Sequence, residues 1–165
     1  MNIRKLTAED ATAYRELRLE ALLDSPDAFG ATYEDALNRP VEKTAERLAD
    51  EYTPTFGAFE DGALVGNMTL IRNPSKKMNH RGSIVAVYVK ASVRGKGVAN
   101  FILEALLEYA RNWGGLEQVY LMVVSDNEPA IKLYRRFGFE KYGTEYRSMK
   151  VDGRYIDEDL MVKFL

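Results

Sequence analysis

Ser83-Ile84-Val85-Ala86-Val87-Tyr88-Val89-Lys90, followed after Ala91-Ser92-Val93 by Arg94-Gly95-Lys96-Gly97-Val98-Ala99-Asn100, is the stretch that decides the fold. Its first part is an unbroken apolar run, which reads as a central strand covered on both faces. Gly97 to Trp113 reads as a helix, because Val98, Ile102, Ala105, Tyr109 and Trp113 recur at spacings of three or four. Leu103, Leu106, Leu107 and Ala110 widen that apolar face, Gly114-Gly115 closes the helix, and Gln118 to Val124 reads as a second buried strand. Strand, helix and strand over about forty residues make a βαβ unit, whose strands lie parallel and whose crossover is right-handed.

The glycine-rich turn between the first strand and the helix lets backbone amides approach an anion closely. The helix N-terminus adds partial positive charge, with Arg94 and Lys96 beside it. Two familiar phosphate loops do not fit. A Walker loop needs Lys-Ser/Thr around its last glycine, whereas Gly97 precedes Val98-Ala99; a dinucleotide fingerprint needs a glycine where Asn100 stands.

Outward toward the N-terminus, Ile3 to Leu6 reads as a strand and Ala8 to Leu23 as a helix. Tyr14, Leu17, Ala21 and Leu22 form the helix's buried face, and Arg15, Arg18 and Glu20 are left more exposed. Asp24-Ser25-Pro26-Asp27 breaks this helix, since proline restricts its neighbour and lacks an amide hydrogen; another helix is expected from Val41 to Asp50. Thr55 to Glu60 and Ala63 to Ile71 form a hairpin across Asp61-Gly62. The loop from Arg72 to Arg81 carries Arg72, Lys76, Lys77 and Arg81 without an acid, and reads as solvated loop charge because no aromatic lies among them for stacking bases. Toward the C-terminus, Asn127 caps a helix from Glu128 to Phe137 that Gly138 ends. Strands follow near Phe139 to Glu145 and Ser148 to Leu165, with a turn at Asp152-Gly153. One mixed α/β domain spanning 1–165 accounts for all of this.

Composition narrows the chemistry. The chain has 165 residues, no cysteine, one histidine and one tryptophan, which excludes disulfide scaffolds, cysteine-bearing zinc sites, thiol nucleophiles and mechanisms needing two histidines. A net charge of -2 gives no global reason to expect nucleic acid or an anionic membrane as partner. No apolar run suits a signal peptide or a membrane span, so a cytoplasmic location is expected, and the sequon Asn67-Met68-Thr69 reads as accidental.

Arg94, Gly97 and Ala99 match position for position the Gln/Arg-x-x-Gly-x-Gly/Ala loop of the GCN5-related N-acetyltransferase (GNAT) superfamily, which this chain resembles. The family's later signature is met by Asn127, Ala130, Leu133-Tyr134 and Gly138-Phe139 in the same order and separation. The resemblance implies a single-domain GNAT-like α/β fold, with a mixed central sheet of about six or seven strands flanked by about four helices. It further implies acetyl-CoA as co-substrate, lying between two parallel strands that splay apart. The backbone of Val87, Tyr88 and Val89 would bind the pantetheine arm, and Arg94, Gly95, Lys96, Gly97, Val98 and Ala99 would wrap the pyrophosphate. Asn127 would touch the arm, and Tyr134 would face the sulfur as proton donor. Each position also has a plain structural reading: core strand for Val87 to Val89, helix cap for Asn127, core aromatic for Tyr134.

Without cysteine an acyl-cysteine relay is impossible, so the expected reaction is direct attack of a primary amine on the thioester in a ternary complex, without a metal. The amide of Val87 would polarise the thioester carbonyl. Some family members place a glutamate on the central strand, but Ser83 to Val89 contains no acid. Glu34, Asp35, His80, Asp157, Glu158 or a water chain are left as candidate bases, with His80 favoured as a solvated loop residue. The acceptor is a small-molecule or protein amine. Its choice is expected to lie in Asp24 to Asn38, Arg72 to Arg81 and the last strand pair. A homodimer through Val151 to Leu165 is a family-based expectation. The competing readings are a non-catalytic acyl-CoA-binding or sensing module, opposed by the joint presence of the loop and Tyr134, and a nucleic-acid-binding domain, opposed by the net charge.

Overall fold

The computed structural model describes residues 1–165. Seven strands form one mixed sheet: β1 (Asn2–Lys5), β2 (Thr55–Glu60), β3 (Ala63–Arg72), β4 (Arg81–Val89), β5 (Gln118–Val124), β6 (Glu140–Val151) and β7 (Arg154–Phe164), in the order β1-β2-β3-β4-β5-β7-β6. The expected hairpin is present, and Asp61 and Gly62 both take positive φ, 50° and 81°, as a tight two-residue turn between right-twisted strands requires. β4 and β5 pair in parallel, as the βαβ pattern implies.

Five helices cover the sheet: α1 (Ala11–Asp24), α2 (Tyr33–Asn38), α3 (Val41–Ala49), α4 (Val98–Asn112) and α5 (Glu128–Arg136). α4 buries Val98, Ile102, Leu103, Leu106 and Leu107 against β1 to β4, each side chain contributing roughly 1.5–3 kcal/mol of apolar burial. α5 joins the same core through Ile131 and Tyr134. A second, smaller core lies where Tyr14, Leu17 and Ala21 of α1 meet Leu48 of α3 and Leu64 of β3. No helix is long and apolar enough to cross a membrane.

Four expectations need correction. α2 has no counterpart in the sequence reading: it is too short to show a periodic apolar face and buries no residue, being started by the Thr32 hydroxyl, which accepts the Asp35 amide at 3.1 Å. Ser148 to Val151 belongs to β6 and not to the last strand, because β6 continues past an irregularity at which Arg147 takes a φ of 55°. β4 and β5 are not covered on both faces. Ser83 and Met122 are exposed and Val85 to Val87 half-buried, since one face of each strand borders an open cleft. Arg72 is not loop charge: it is buried, donates to the carbonyls of Asn79 (2.7 Å) and Gly114 (2.9 Å), and stacks on Trp113, which removes one member of the basic run.

Candidate active site

The parallel ladder between β4 and β5 runs from the Arg81–Gln118 pair to the Ile84–Leu121 pair and stops there. Beyond it β5 stays with β7, whereas β4 follows β3 through a bulge in which two steps on β3, Asn67 to Thr69, answer three on β4, Val85 to Tyr88. Ala86 sits in the bulge with a φ of 53°, and the Asn67 amide donates to its carbonyl at 2.6 Å. The strands therefore part, and two adjoining lobes that share Phe29, Val87, Asn127 and Tyr134 form a cleft at the gap.

The first lobe, about 610 Å³, is lined by Val87, Tyr88, Val89, Arg94, Gly95, Gly97, Val98, Ala99, Asn127 and Tyr134. Of the residues expected to hold a cofactor, Lys96 alone lies outside this lining, its ammonium 3.8 Å from Glu60. Gly95 and Gly97 take φ of 81° and 78°, a left-handed turn that faces the amides of Gly95, Gly97, Val98, Ala99 and Asn100 away from any backbone acceptor. Free amides at the start of a fifteen-residue helix form an anion cradle. Arg94 bridges to Asp24 at the end of α1 and donates to the Val89 carbonyl at 2.9 Å. The Arg94 guanidinium, aided by the Ser25 hydroxyl, holds the Asp24 carboxyl below its ordinary range. Arg136, which the sequence reading passed over, also lines this lobe and donates to Asn100 at 3.2 Å. Its position two residues after Tyr134 was the only available signal.

Tyr88 contributes backbone here. Its side chain turns the other way, toward Glu20 at 3.3 Å, and burial, then the charges of Asp24 and Glu20, push its phenol up to about 12 against the opposing charge of Arg94. Asn127 caps α5, its side chain accepting the Ala130 amide at 3.3 Å, and the residue also borders both lobes. Tyr134 is 4% exposed, packs edge-on against Phe139 and lines both lobes at the waist between them. Burial alone pushes its phenol far above the ordinary value, so its hydroxyl keeps its proton throughout the physiological range.

The second lobe, about 660 Å³, is bounded by Val85 to Val87, Met122 to Val124, Tyr120, Tyr142 and Phe29. Its charged lining is Arg18, Arg47, Arg81 and Glu158. Arg18 was expected on the exposed face of α1; instead its guanidinium turns into the cleft over the Phe29 ring, 4.6 Å from the centroid. Of the candidate bases, only Glu158 lines this lobe, where it accepts the Ser148 hydroxyl. Asp35 borders a side pocket, and Glu34 is exposed on α2 outside both lobes. Asp157 accepts the Arg147 amide at 2.7 Å in the β6 irregularity. His80 lies at the opposite end of β4, where its carbonyl accepts the Glu117 amide at 2.8 Å.

The expected cofactor and proton-donor residues thus meet where the sheet parts at its parallel pair, and the family match below makes the chain an acyltransferase. Residues 14–139 match the acetyltransferase (GNAT) family, and the chain belongs to that family. It is 31% identical to the L-amino acid N-acetyltransferase of Escherichia coli, over 72% of this chain and 73% of that protein. Its fold superposes on an acetyltransferase of the GNAT family from Streptococcus pneumoniae with a TM-score of 0.91 and 23% identity, covering 99% of each chain. A phosphinothricin acetyltransferase from Sinorhizobium meliloti, solved in complex with acetyl-CoA, superposes with a TM-score of 0.85 at 20% identity, over 99% of this chain and 88% of that one.

Proposed function

We propose that residues 1–165 act as one N-acetyltransferase domain that moves an acetyl group from acetyl-CoA directly to a primary amine, of a small molecule or a protein, in a ternary complex. The observation that carries this is the two-lobed cleft at the β4–β5 gap: one lobe ends in the cradle of free amides, the other is open to an acceptor, and Tyr134 borders both. The Escherichia coli relative, named for L-amino acids, supports an amine acceptor. The free amides of Gly95 to Asn100, with Arg94 and Arg136 near them, suit a pyrophosphate, and an edge of β4 without a strand partner beyond Ile84 suits an extended amide-bearing arm.

When bound, acetyl-CoA supplies the electrophilic carbonyl and a thiolate leaving group. Val87 to Val89 hold the arm by backbone, and the Val87 amide, next to the bulge at Ala86 and at the gap, polarises the carbonyl oxygen. Glu158 takes the proton from the incoming ammonium, directly or through water. Tyr134, which holds its proton at neutral pH, donates it to the departing sulfur and regains one from the nitrogen as the amide forms. Asn127 fixes the start of α5 and thereby the place of Tyr134 about two turns further on.

Calorimetry with acetyl-CoA, followed by release of free thiol over a panel of amines, tests this. Binding with turnover of at least one amine is expected. Absence of acetyl-CoA binding would overturn the assignment, and binding without any acyl transfer would favour a sensing module.

A further inference from the structure

A side pocket of about 180 Å³ lies among α1, α2 and α3, and Arg18 and Arg47 line both it and the acceptor lobe. Arg15 and Arg39 complete its cationic wall, with Asp35 as its one carboxylate. None of the four arginines forms an ion pair: the ion pairs of α1 to α3 are Lys90–Glu20, Arg94–Asp24 and Lys43–Glu46. Arg15 is engaged structurally, donating to the Leu37 carbonyl at 2.8 Å. Arg18 and Arg47 have no such engagement. Burial, then the charges of Arg47 and Arg39, pull the Arg18 guanidinium below its ordinary value, with Tyr14 opposing.

Tyr14 is 5% exposed and borders this pocket, with its hydroxyl sealed off and without a hydrogen-bond partner. The open, unanswered groups are the guanidiniums of Arg18 and Arg47, and what answers two guanidinium groups together is an oxyanion.

We propose that the acceptor is a small amine that itself carries an anionic group, a carboxylate or a phosphorus oxyanion, held by Arg18 and Arg47. For the amine end this rests on the acetyltransferase reading above; for the anion end it stands on the pocket alone. The amine then lies toward Glu158 and the gap at Val87, so a zwitterionic molecule meets opposite charges at its two ends. Phe29, stacked on Arg18, fixes the guanidinium plane and excludes water from one side of it.

The test has a kinetic part and a binding part. Wild-type kcat/KM is expected to favour α-amino acids over their carboxamides by about tenfold or more, and Arg18→Gln and Arg47→Gln to shrink that ratio toward one, mainly through KM. Aminoalkylphosphonates in the same panel separate a carboxylate pocket from a phosphorus-oxyanion pocket. Equal use of acids and amides, or a preference that survives both substitutions, overturns the proposal, as does efficient acetylation of peptide amines that lack a nearby acid.

The binding part needs no turnover. Inorganic phosphate at constant ionic strength is expected to raise Tm, with that rise lost in the Arg18→Gln/Arg47→Gln double variant. An equal rise in wild type and variants overturns the proposal. The lost increment together with no acetyl-CoA binding would instead overturn only the catalytic assignment. Should the double variant fail to fold, each single variant carries the same comparison.

Discussion

Replacing Tyr134 by phenylalanine removes one oxygen from the waist of the cleft and little else. The ring packs edge-on against Phe139 at a centroid distance of 5.8 Å, a contact phenylalanine keeps. Burial is the sole cause of the raised phenol pKa, so no protein group hydrogen-bonds the hydroxyl and none is orphaned by its loss. Stability should therefore change by less than about 1 kcal/mol, within the range of a volume-conserving core swap. Catalysis should change far more. Removing a positioned general acid typically lowers rate 10²- to 10⁴-fold, so a loss of at least about a hundredfold in kcat is expected, equal to about 2.7 kcal/mol of barrier. The assays are thiol release under saturating acetyl-CoA, calorimetric affinity for acetyl-CoA, and thermal unfolding. The expected pattern is a large fall in kcat, affinity within about threefold, and nearly constant Tm. A kcat within threefold of wild type would refute the donor role; equal losses in turnover, affinity and Tm would return Tyr134 to the core aromatic that its helical spacing alone suggests.

Asn67→Ala deletes the 2.6 Å bond to the Ala86 carbonyl from a buried position, and should cost about 1–3 kcal/mol in denaturant unfolding; kcat/KM should fall beyond that loss of folded protein, because the bulge shapes β4 next to Val87, which lines both lobes. An unchanged kcat/KM in the folded fraction would show that the bulge persists without Asn67. Gly97→Ala puts a side chain at a φ of 78°, so calorimetry should find weaker acetyl-CoA binding and unfolding a loss of about 1–2 kcal/mol; wild-type affinity would mean the cradle is not used. Asp159 is buried, which raises its pKa, but Lys141 at 2.9 Å and the hydroxyls of Ser125 and Thr144 outweigh this and leave it lowered. A carboxylate with a lowered folded pKa stabilises above its unfolded value of about 3.9, and that stability disappears as pH falls through the folded pKa. Asp159→Asn should thus lower Tm at pH 7 and flatten the fall of Tm between pH 4 and 2, and an unchanged acid slope would count against this network.

The order of elements was legible because each leaves a local signal. The αL glycines at 95 and 97, the Asp61-Gly62 turn and the period of α4 are written within a few residues, and the cradle can be read from them. α2 was not legible, being too short to have a period, and the β6 irregularity was not, because a single residue at positive φ carries no distinctive composition. The acceptor side was hidden for a different reason. Arg18 sits on the polar face of an amphipathic helix, and periodicity reports polarity without distinguishing water from a polar cavity. Asn67 read only as an accidental sequon inside a strand, since its function depends on a carbonyl nineteen residues away.

By itself the sequence determined the βαβ unit, the glycine turn that opens α4 and the exclusion of thiol and paired-histidine chemistry, because these depend on residue type and short spacing. The tertiary structure alone decided where β4 leaves β5, which of five candidate bases borders the gap, and that Arg18, Arg47 and Tyr14 face one pocket. Those facts come from long-range pairing and from the packing of α1 against α3, in which side chains far apart along the chain share one enclosed space, and no local pattern records such an encounter.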